Sequence, residues 1–495
     1  MSPRPSARLR RLALGVCAMA VSGCAVGPDF HRPSPPAGQA YRSPPPSEGQ
    51  GAEPSGAEPQ ALVFGGELSN RWWTLFHSPA LDALEDQALK ANPDLAAAEA
   101  SLRQAHQLYL AQKGALAPTV DLPGQALREK DSAALSPTLA QPVPVFTLYT
   151  GQLDVSYRLD LFGGVRRQVE QAGAQAEQQH FLYEAAYVSL TANVAAAAIQ
   201  AASLNDQIRA QDAVIAEARD VLQIEQRREA EGQVAGADVA AQALAVTLAQ
   251  AAMPPLRKAL GQQEDLIAAL IGKLPGEAPW LELTLADLSL PSTLPVSLPS
   301  HLVDQRPDIR AAEAALHAAS AAVGAAEADR LPDLELTGSF GGASTTLADL
   351  LLHSNQAWAI AGGVTQPLFH GGALMHRQKA AEAALDQARA QYRSTVIAAF
   401  QNVADVLEAI HDDAAAYTAA VRTEEAARQA LAIGQSRSRL GAISGADILV
   451  LEQAHQTALA SRAQMQAARY ADSVALYQAL GGGWWDRTGP SPRGR

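Results

Sequence analysis

Asn92-Pro93-Asp94-Leu95-Ala96-Ala97-Ala98-Glu99-Ala100 returns 214 positions later as Arg306-Pro307-Asp308-Ile309-Arg310-Ala311-Ala312-Glu313-Ala314. The same offset carries Leu102 onto Leu316, Pro118 onto Pro332, Leu122 onto Leu336 and Gly124 onto Gly338. Further on, Leu161-Phe162-Gly163-Gly164 reappears as Leu368-Phe369-His370-Gly371-Gly372. Gly232 and Asp238 then map onto Gly441 and Asp447 at an offset of 209. Two long copies, rather than a solenoid's many short ones, point to a duplicated unit of several elements. That excludes most single-site enzyme folds and makes a symmetric shell or tube the first architecture to consider.

Start and stop signals divide each copy. Ser78-Pro79 supplies an N-cap followed by Pro at N1, predicting a short helix to about Ala91. Asn92-Pro93 repeats the signal for a helix to about Leu116, and its counterpart runs from Pro307 to about Arg330. Pro118 and Pro332 stop those helices, and a strand region follows each. The clearest strand is residues 152–161, where Leu153, Val155, Tyr157, Leu159 and Leu161 alternate with Gln152, Asp154, Ser156, Arg158 and Asp160. Strict period-two alternation means one apolar and one wet face. About ten residues also suits a tilted crossing of a bilayer, although a strand on a soluble sheet has the same period. Partner strands are expected near 119–128, 333–340 and 358–366, with Pro-, Ser- and Thr-rich loops at 129–148 and 342–356.

After each Gly-Gly turn the period changes. From Tyr183, positions 187, 190, 194, 197, 201, 204, 208, 211, 215, 218 and 222 advance by alternating steps of four and three, all apolar except Gln211. From Tyr392 the same ladder reads Val396, Ala399, Val403, Val406, Ile410, Asp413, Tyr417, Ala420, Glu424, Ala427 and Leu431. A sustained 4-3 seam is the coiled-coil signature. Residues 168–231 make roughly 64 residues, or about 95 Å of helix at 1.5 Å per residue. Each long helix ends in a Gly-containing turn, residues 231–236 and 440–445, and a returning helix follows to about Ile271 and Leu480.

The ends set further bounds. Arg4, Arg8, Arg10 and Arg11 precede a short apolar stretch ending in Val21-Ser22-Gly23-Cys24, the pattern of a lipoprotein signal. An ordinary secretory signal with a chance Cys is the alternative. Cleavage before Cys24 removes Cys17 and four Arg, leaving one acylated Cys and 34 basic against 51 acidic side chains, a net charge of −17. That balance makes nucleic acid a poor partner, and a single Cys excludes a disulfide. No later segment offers 18 consecutive apolar residues, which sets aside a second membrane helix; a closed β-barrel, with its weaker signal, stays open. Residues 33–60 hold eight prolines and read as a tether.

No catalytic constellation emerges: the histidines form no His-Glu-x-x-His, and there is no Gly-x-Ser-x-Gly elbow or phosphate-binding loop. His411-Asp412-Asp413 reads as a solvated helix face, because successive helical residues point in different directions. Asp447 has two readings. With Ser444 as N-cap it completes a capping box; if copies surround an axis, one carboxylate per copy forms an anionic ring at the narrow end of a tube. Asp238 caps its own helix in the first reading, although Ala235 replaces the Ser of the second copy.

The segment Cys24-Ala25-Val26-Gly27-Pro28-Asp29-Phe30-x-x-Pro33 resembles the start of the TolC-like outer membrane factor family, in its lipidated efflux branch. So do Trp72-Trp73-x-x-Phe76-x-x-Pro79-x-Leu81, Asn92-Pro93-Asp94-Leu95, Asp160-Leu161-Phe162-Gly163, Gln366-Pro367-Leu368-Phe369 and Leu480-Gly481-Gly482-Gly483-Trp484. The set covers residues 24 to about 485 in order; Val21 and Ala235 are the departures. The resemblance implies a mainly α fold with a membrane β-barrel. Three subunits would form an α-barrel/β-barrel duct, each a tandem repeat contributing four strands and long coiled-coil helices. It implies a homotrimer in the outer membrane, anchored by lipid at Cys24 and largely periplasmic. Its partners would be a periplasmic adaptor and an inner-membrane pump of the resistance–nodulation–division class, with no cofactor and no catalysis. The expected organisation is a signal peptide (1–23), a lipid-anchored tether (24–70), repeat 1 (71–273), a linker (274–305), repeat 2 (306–485) and a C-terminal tail (486–495). Leu153, Val155, Tyr157 and Leu159 would face lipid. The tips, with Gly232, Val234, Asp238, Gly441, Ile443 and Ser444, would dock the adaptor, and Asp447 would be the periplasmic gate. Export of drugs or other toxic small molecules follows as the function. The alternatives are the duct of a type I protein secretion system, or a non-conducting structural lipoprotein of the envelope.

Overall fold

The computed structural model describes residues 25–34, 60–66, 68–130, 145–277, 282–297, 299–440, 442–443 and 445–487. Cys24, Gly441 and Ser444, the signal-like segment and most of the proline-rich stretch lie outside the described residues. In chain order the elements are β1 (Ala61–Phe64), α1 (Pro79–Ala91), α2 (Pro93–Gly114), β2 (Thr119–Asp121), β3 (Gly124–Glu129), β4 (Phe146–Leu159), α3 (Gly164–Ala230) and α4 (Gly236–Leu270). There follow β5 (Thr293–Val296), α5 (Pro299–Gln305), α6 (Pro307–Ala328), β6 (Asp333–Ser344), β7 (Gln356–Thr365), α7 (Ala373–Arg439) and α8 (Gly445–Ala479). Counterparts agree in length: α2 and α6 have 22 residues, α3 and α7 have 67, and α4 and α8 have 35.

Two compact units make up the chain. One comprises residues 1–33, 102–179 and 312–392, and holds β2, β3, β4, β6 and β7. Its antiparallel order is β2/β3–β4–β6–β7, with β2 and β3 pairing successive parts of β4. Pro123 lies in the gap between β2 and β3. Its ring has no N–H for the ladder, but its carbonyl accepts the Gln152 N–H at 3.2 Å. The clearest expected strand is longer than its alternation showed. It starts at Phe146 and ends at Leu159, and β6 extends to Ser344 inside the expected loop. With β2 and β3 counted as one interrupted strand, the sheet has four strands, and among the described residues they do not close on themselves.

The other unit comprises residues 34–101, 180–311 and 393–495. The seam positions there pack as the 4-3 spacing requires. Tyr187, Leu190, Val194, Ala197, Ala201, Leu204, Ile215 and Ala218 are buried on α3, as are Val396, Ala399, Val403, Ile410, Tyr417, Ala420 and Leu431 on α7. α3 and α4 each hold an 18-residue window of mean hydropathy 1.3, apolar and long enough by composition to cross a membrane. This departs from the sequence expectation, which counted only unbroken apolar runs. Within α3, 67% of that window is buried inside the chain. The first residue of the duplicated motif has a common task in both copies. Asn92 donates to Leu270 O at 2.9 Å, and Arg306 to Ala479 O at 3.0 Å, so each ties the start of one helix to the end of the returning one.

An aromatic core anchors the same unit. Trp72, Trp73, Phe76 and Tyr477 are fully buried, with Trp72 and Tyr477 rings 5.2 Å apart. Glu85 is also fully buried; burial, then the nearby Asp82 and Asp86, push its carboxyl up to about 9. Gly481, Gly482 and Gly483 all take positive φ (96°, 65° and 70°), and Cβ atoms there would collide with Gln305 O, Val188 and Ser69 O. Only glycine fits both demands. The turn carries Arg487 onto Glu184, paired at 2.8 Å, and over the Tyr187 ring at 4.0 Å. Ala61–Phe64, inside the 24–70 segment read as tether, pairs in parallel with Thr293–Val296.

Candidate functional site

The sheet is two-faced. Register places Leu153 opposite Phe340, Val155 opposite Gly338, Tyr157 opposite Leu336 and Leu159 opposite Leu334. The rows continue to Trp358, Ile360, Gly362 and Val364 on β7, and Val120 on β2 joins the Val155 row. The other face carries Asp154, Ser156 and Arg158 against Ser339, Thr337 and Glu335. Arg158 pairs with Asp333 at 2.6 Å, and the Ser156 hydroxyl donates to Glu335 at 2.6 Å. Among the described residues the apolar face has no partner: Ile360 is 80% exposed, Trp358 73% and Val364 68%. A contiguous aromatic and aliphatic face of this kind marks a surface meant for a non-aqueous neighbour. It spans about 20 Å along β4 from Leu153 to Leu159, at about 3.3 Å per residue. Beyond Gly151 the pattern changes: Leu148 pairs with Leu127 and Thr147 with Arg128. The apolar band therefore has an edge.

The tips lie at the other ends of the long helices. After α3, Gly232 takes φ +72°, and the Gly232 and Gln233 N–H groups donate to Glu229 O and Arg228 O, each at 2.8 Å. Val234 is half-buried. Asp238 accepts the Ala235 N–H at 3.2 Å, so this carboxylate caps α4 without help from a side chain at 235. In the second copy Asp447 is exposed in the first turn of α8, third in Gly445-Ala446-Asp447 as Asp238 is third in Gly236-Ala237-Asp238. Ile443 is half-buried and lies close to Gly434 of α7. Gly441 and Ser444 fall outside the described residues.

Two features were missed by sequence reasoning. Residues 25–33, assigned to the tether, run as a strap along α6. Val26 N–H donates to Phe162 O at 3.0 Å, Ser320 to Pro28 O at 3.4 Å, Phe30 stacks on His317 at 4.4 Å, and Arg32 pairs with Glu313 at 3.0 Å. Arg167 binds Val26 O at 3.1 Å, Asp29 at 2.7 Å and Glu170 at 2.8 Å. Although burial works against it, hydrogen bonds from Arg167 and His317 hold the Glu170 carboxyl below its usual range. The strap's first described residue, Ala25, sits against Gly163. The second feature corrects a reading: Asp413 is not a solvated side chain but half-buried, and burial, then Asp413, push the Asp472 carboxyl up to about 7. The position of Asp413 in the 4-3 ladder was the available signal.

A family model described as outer membrane efflux protein matches residues 84–273 and 298–482. A pyoverdine export outer membrane protein, OpmQ of Pseudomonas putida, is 30% identical over 436 residues, covering 87% of this chain and 91% of its own. A toluene efflux pump outer membrane protein, TtgC of Pseudomonas putida, is 28% identical, covering 97% and 96%. Among solved structures, the outer-membrane channel OprN superposes with a TM-score of 0.84 at 27% identity, over 93% of this chain and 100% of that one. The open state of the Neisseria gonorrhoeae MtrE outer membrane channel gives 0.78 at 27%, over 94% and 100%.

Proposed function

The chain belongs to the outer membrane efflux protein family, and from that premise we propose that it is the passive exit duct of a tripartite efflux pump, releasing small toxic molecules to the exterior. The observation that carries this reading is the four-stranded sheet with one polar face and one unpartnered apolar face. Four strands are too few for a barrel, since about eight are needed to close one. Three copies supply twelve strands, with Leu153, Val155, Tyr157 and Leu159 facing lipid and the Arg158–Asp333 side facing a wet lumen. Leu368 and Phe369, 90% and 87% exposed, then meet a neighbouring subunit.

The division into signal peptide, tether, two repeats, linker and tail is proposed from sequence, with the strap at 25–33 and the strand Ala61–Phe64 cutting into the segment read as tether. Cys24 carries the lipid anchor in the outer membrane; the strap supports this by bringing Ala25 to Gly163, close after β4. Both hairpins extend into the periplasm. Their tips, at Gly232, Val234 and Asp238 and at Gly441, Ile443 and Ser444, receive a periplasmic adaptor, which joins the duct to an inner-membrane resistance–nodulation–division pump. Asp447 lines the gate. The duct has no catalytic residue and no cofactor; the pump supplies the energy.

Disrupting the gene in its host tests the reading. Cells should accumulate a fluorescent efflux substrate, and a wild-type copy should restore export. Unchanged accumulation together with loss of a secreted protein would assign the chain to type I secretion instead. No change in either would leave a structural lipoprotein.

A further inference from the structure

The outer strands of the sheet carry open edges. Every residue of β2, β3 and β7 is exposed, and an unpaired edge of this length is a template for another strand. Gln152 N–H donates to Pro123 O at 3.2 Å, and the two residues lie opposite each other between the two stretches of register. In an antiparallel pair, residues that exchange N–H and C=O alternate with residues that point away. Odd positions of β2 and β3 therefore face β4, while Leu122, Gly124, Ala126 and Arg128 present their backbone groups to the open edge. Pro123 lacks its N–H on the β4 side, so the open edge keeps its donors. The same alternation, followed through Leu153–Phe340 and Ser339–Ala359, sends the backbone groups of Trp358, Ile360, Gly362 and Val364 to the open edge of β7.

The duplicated sequence sets how two such edges meet. Inside the chain, the last strand of the first copy, β4, borders the first strand of the second, β6, with Val155 opposite Gly338. The offsets of 207 (Leu161 to Leu368) and 214 (Gly124 to Gly338) carry that pair onto Gly362 and Gly124. Both are positions whose backbone groups point to an open edge. We propose that β7 pairs antiparallel with β2 and β3 of a second copy of this chain in that register, Gly362 opposite Gly124 of the next subunit. Val364 then meets Leu122, Ile360 meets Ala126 and Trp358 meets Arg128, so the apolar rows run on across the joint.

The stagger inside the sheet leads independently to the same register. Gly124, Gly151, Gly342 and Gln356 lie opposite one another in turn. From that line the strand ends nearest the helices, Thr119, Leu159, Asp333 and Thr365, are five, eight, nine and nine residues away. In the proposed register Thr119 of the next subunit is eleven away, which continues the drift. A shift by two would stall it at nine or throw it to thirteen. Six residues of drift per four strands is a strand tilt of about 45°, at the upper end of the usual barrel range. The inference rests on the duct reading for its partner, a second copy, but the register is a separate claim.

Disulfide trapping tests it. Odd positions on the two edges form the close, non-bonded pairs, with Cα atoms about 4.5 Å apart. Ala361→Cys with Gln125→Cys should therefore lock neighbouring subunits when isolated outer membranes are oxidised with copper–phenanthroline, giving covalent dimers and trimers on a non-reducing gel. Ala359→Cys with Leu127→Cys checks the same register at a second place. Ala359→Cys with Gln125→Cys, and Ala361→Cys with Leu127→Cys, report registers shifted by two. Their Cα atoms would lie about 7–8 Å apart, beyond disulfide reach, and neither they nor any single-Cys variant should lock. Preferential locking of a shifted pair overturns the proposal, and so do trimers, identified by native mass spectrometry, in which no pair locks. A chain that stays monomeric in lipid fails the duct reading and the register together, whereas locked trimers without conductance would sink the duct and leave the register standing. Should one matched pair prevent assembly, the other decides.

Discussion

Val155→Arg places a guanidinium in the middle of the apolar face, in the row formed by Val120, Val155, Gly338 and Ile360. Gly338 offers no side chain to shield it, and the nearest carboxylates along the strand, such as Asp154, point to the opposite face. An Arg near a bilayer midplane costs about 2–4 kcal/mol in a membrane barrel, falling to about 0–1 near the interface. The change occurs once per subunit, so a trimer carries about 6–12 kcal/mol if the sites act independently. Even about 2 kcal/mol is a factor of about 30 in a folding equilibrium. Ser156→Arg is the matched control: it loses an exposed 2.6 Å hydrogen bond to Glu335 but keeps that carboxylate as a partner. Its cost should be about 1 kcal/mol or less. Urea titration of folding into lipid vesicles, read from heat-modifiable gel mobility, measures both. Val155→Arg should shift the midpoint strongly and deplete the outer membrane fraction. Equal midpoints for the two variants would refute the assignment of this face to lipid.

Cys24→Ser behind a standard signal peptide should lose its lipid yet retain measurable export; mass spectrometry showing an unmodified wild-type N-terminus at another residue would contradict the anchor. Arg487→Ala leaves the Glu184 side chain, 3% exposed, without its 2.8 Å partner, and should cost about 3–5 kcal/mol in thermal or chemical unfolding at neutral pH. A loss below about 1 kcal/mol would mean the C-terminal latch is inert. Glu85, raised to about 9, holds its proton in the folded state, so it lowers stability progressively as pH climbs from about 4.5 to 9. Glu85→Gln should therefore flatten the alkaline limb of the melting-temperature profile, and parallel profiles would contradict the assignment. Asp447→Asn should lower the cation preference of single channels while changing stability by no more than about 1 kcal/mol; a large stability loss with unchanged selectivity would reduce Asp447 to a helix cap.

Periodic signals made much of the fold legible. The 4-3 ladder located both long helices because every apolar step had to meet the same seam, and residues 152–159 declared their faces through strict alternation. The first part of β4 did not, because Phe146 and Leu148 lie on the face that Asp154 and Ser156 keep polar further along. On β7, Ala357, Ala359 and Ala361 oppose Trp358, Ile360 and Val364, and small residues blur the contrast on which a period depends. Pairings distant in sequence left no local mark. Ala61 meets Thr293 across 232 positions, and Arg167 reaches back to Asp29 through folding alone. The tips were legible as turns because Gly232 needs positive φ and Asp238 sits where a cap belongs. Glu424 was visible only as a break in the apolar ladder, because its partner Arg462, at 3.2 Å, comes from another helix.

The most direct test is conductance of the purified full-length protein in a planar lipid bilayer, with insertion verified by co-flotation with vesicles. The account predicts discrete conductance steps from assembled trimers, cation-preferring, and absent when Val155→Arg prevents assembly. Verified insertion without steps, in the wild-type protein and in a variant with shortened tips alike, would contradict a duct and leave a non-conducting envelope protein.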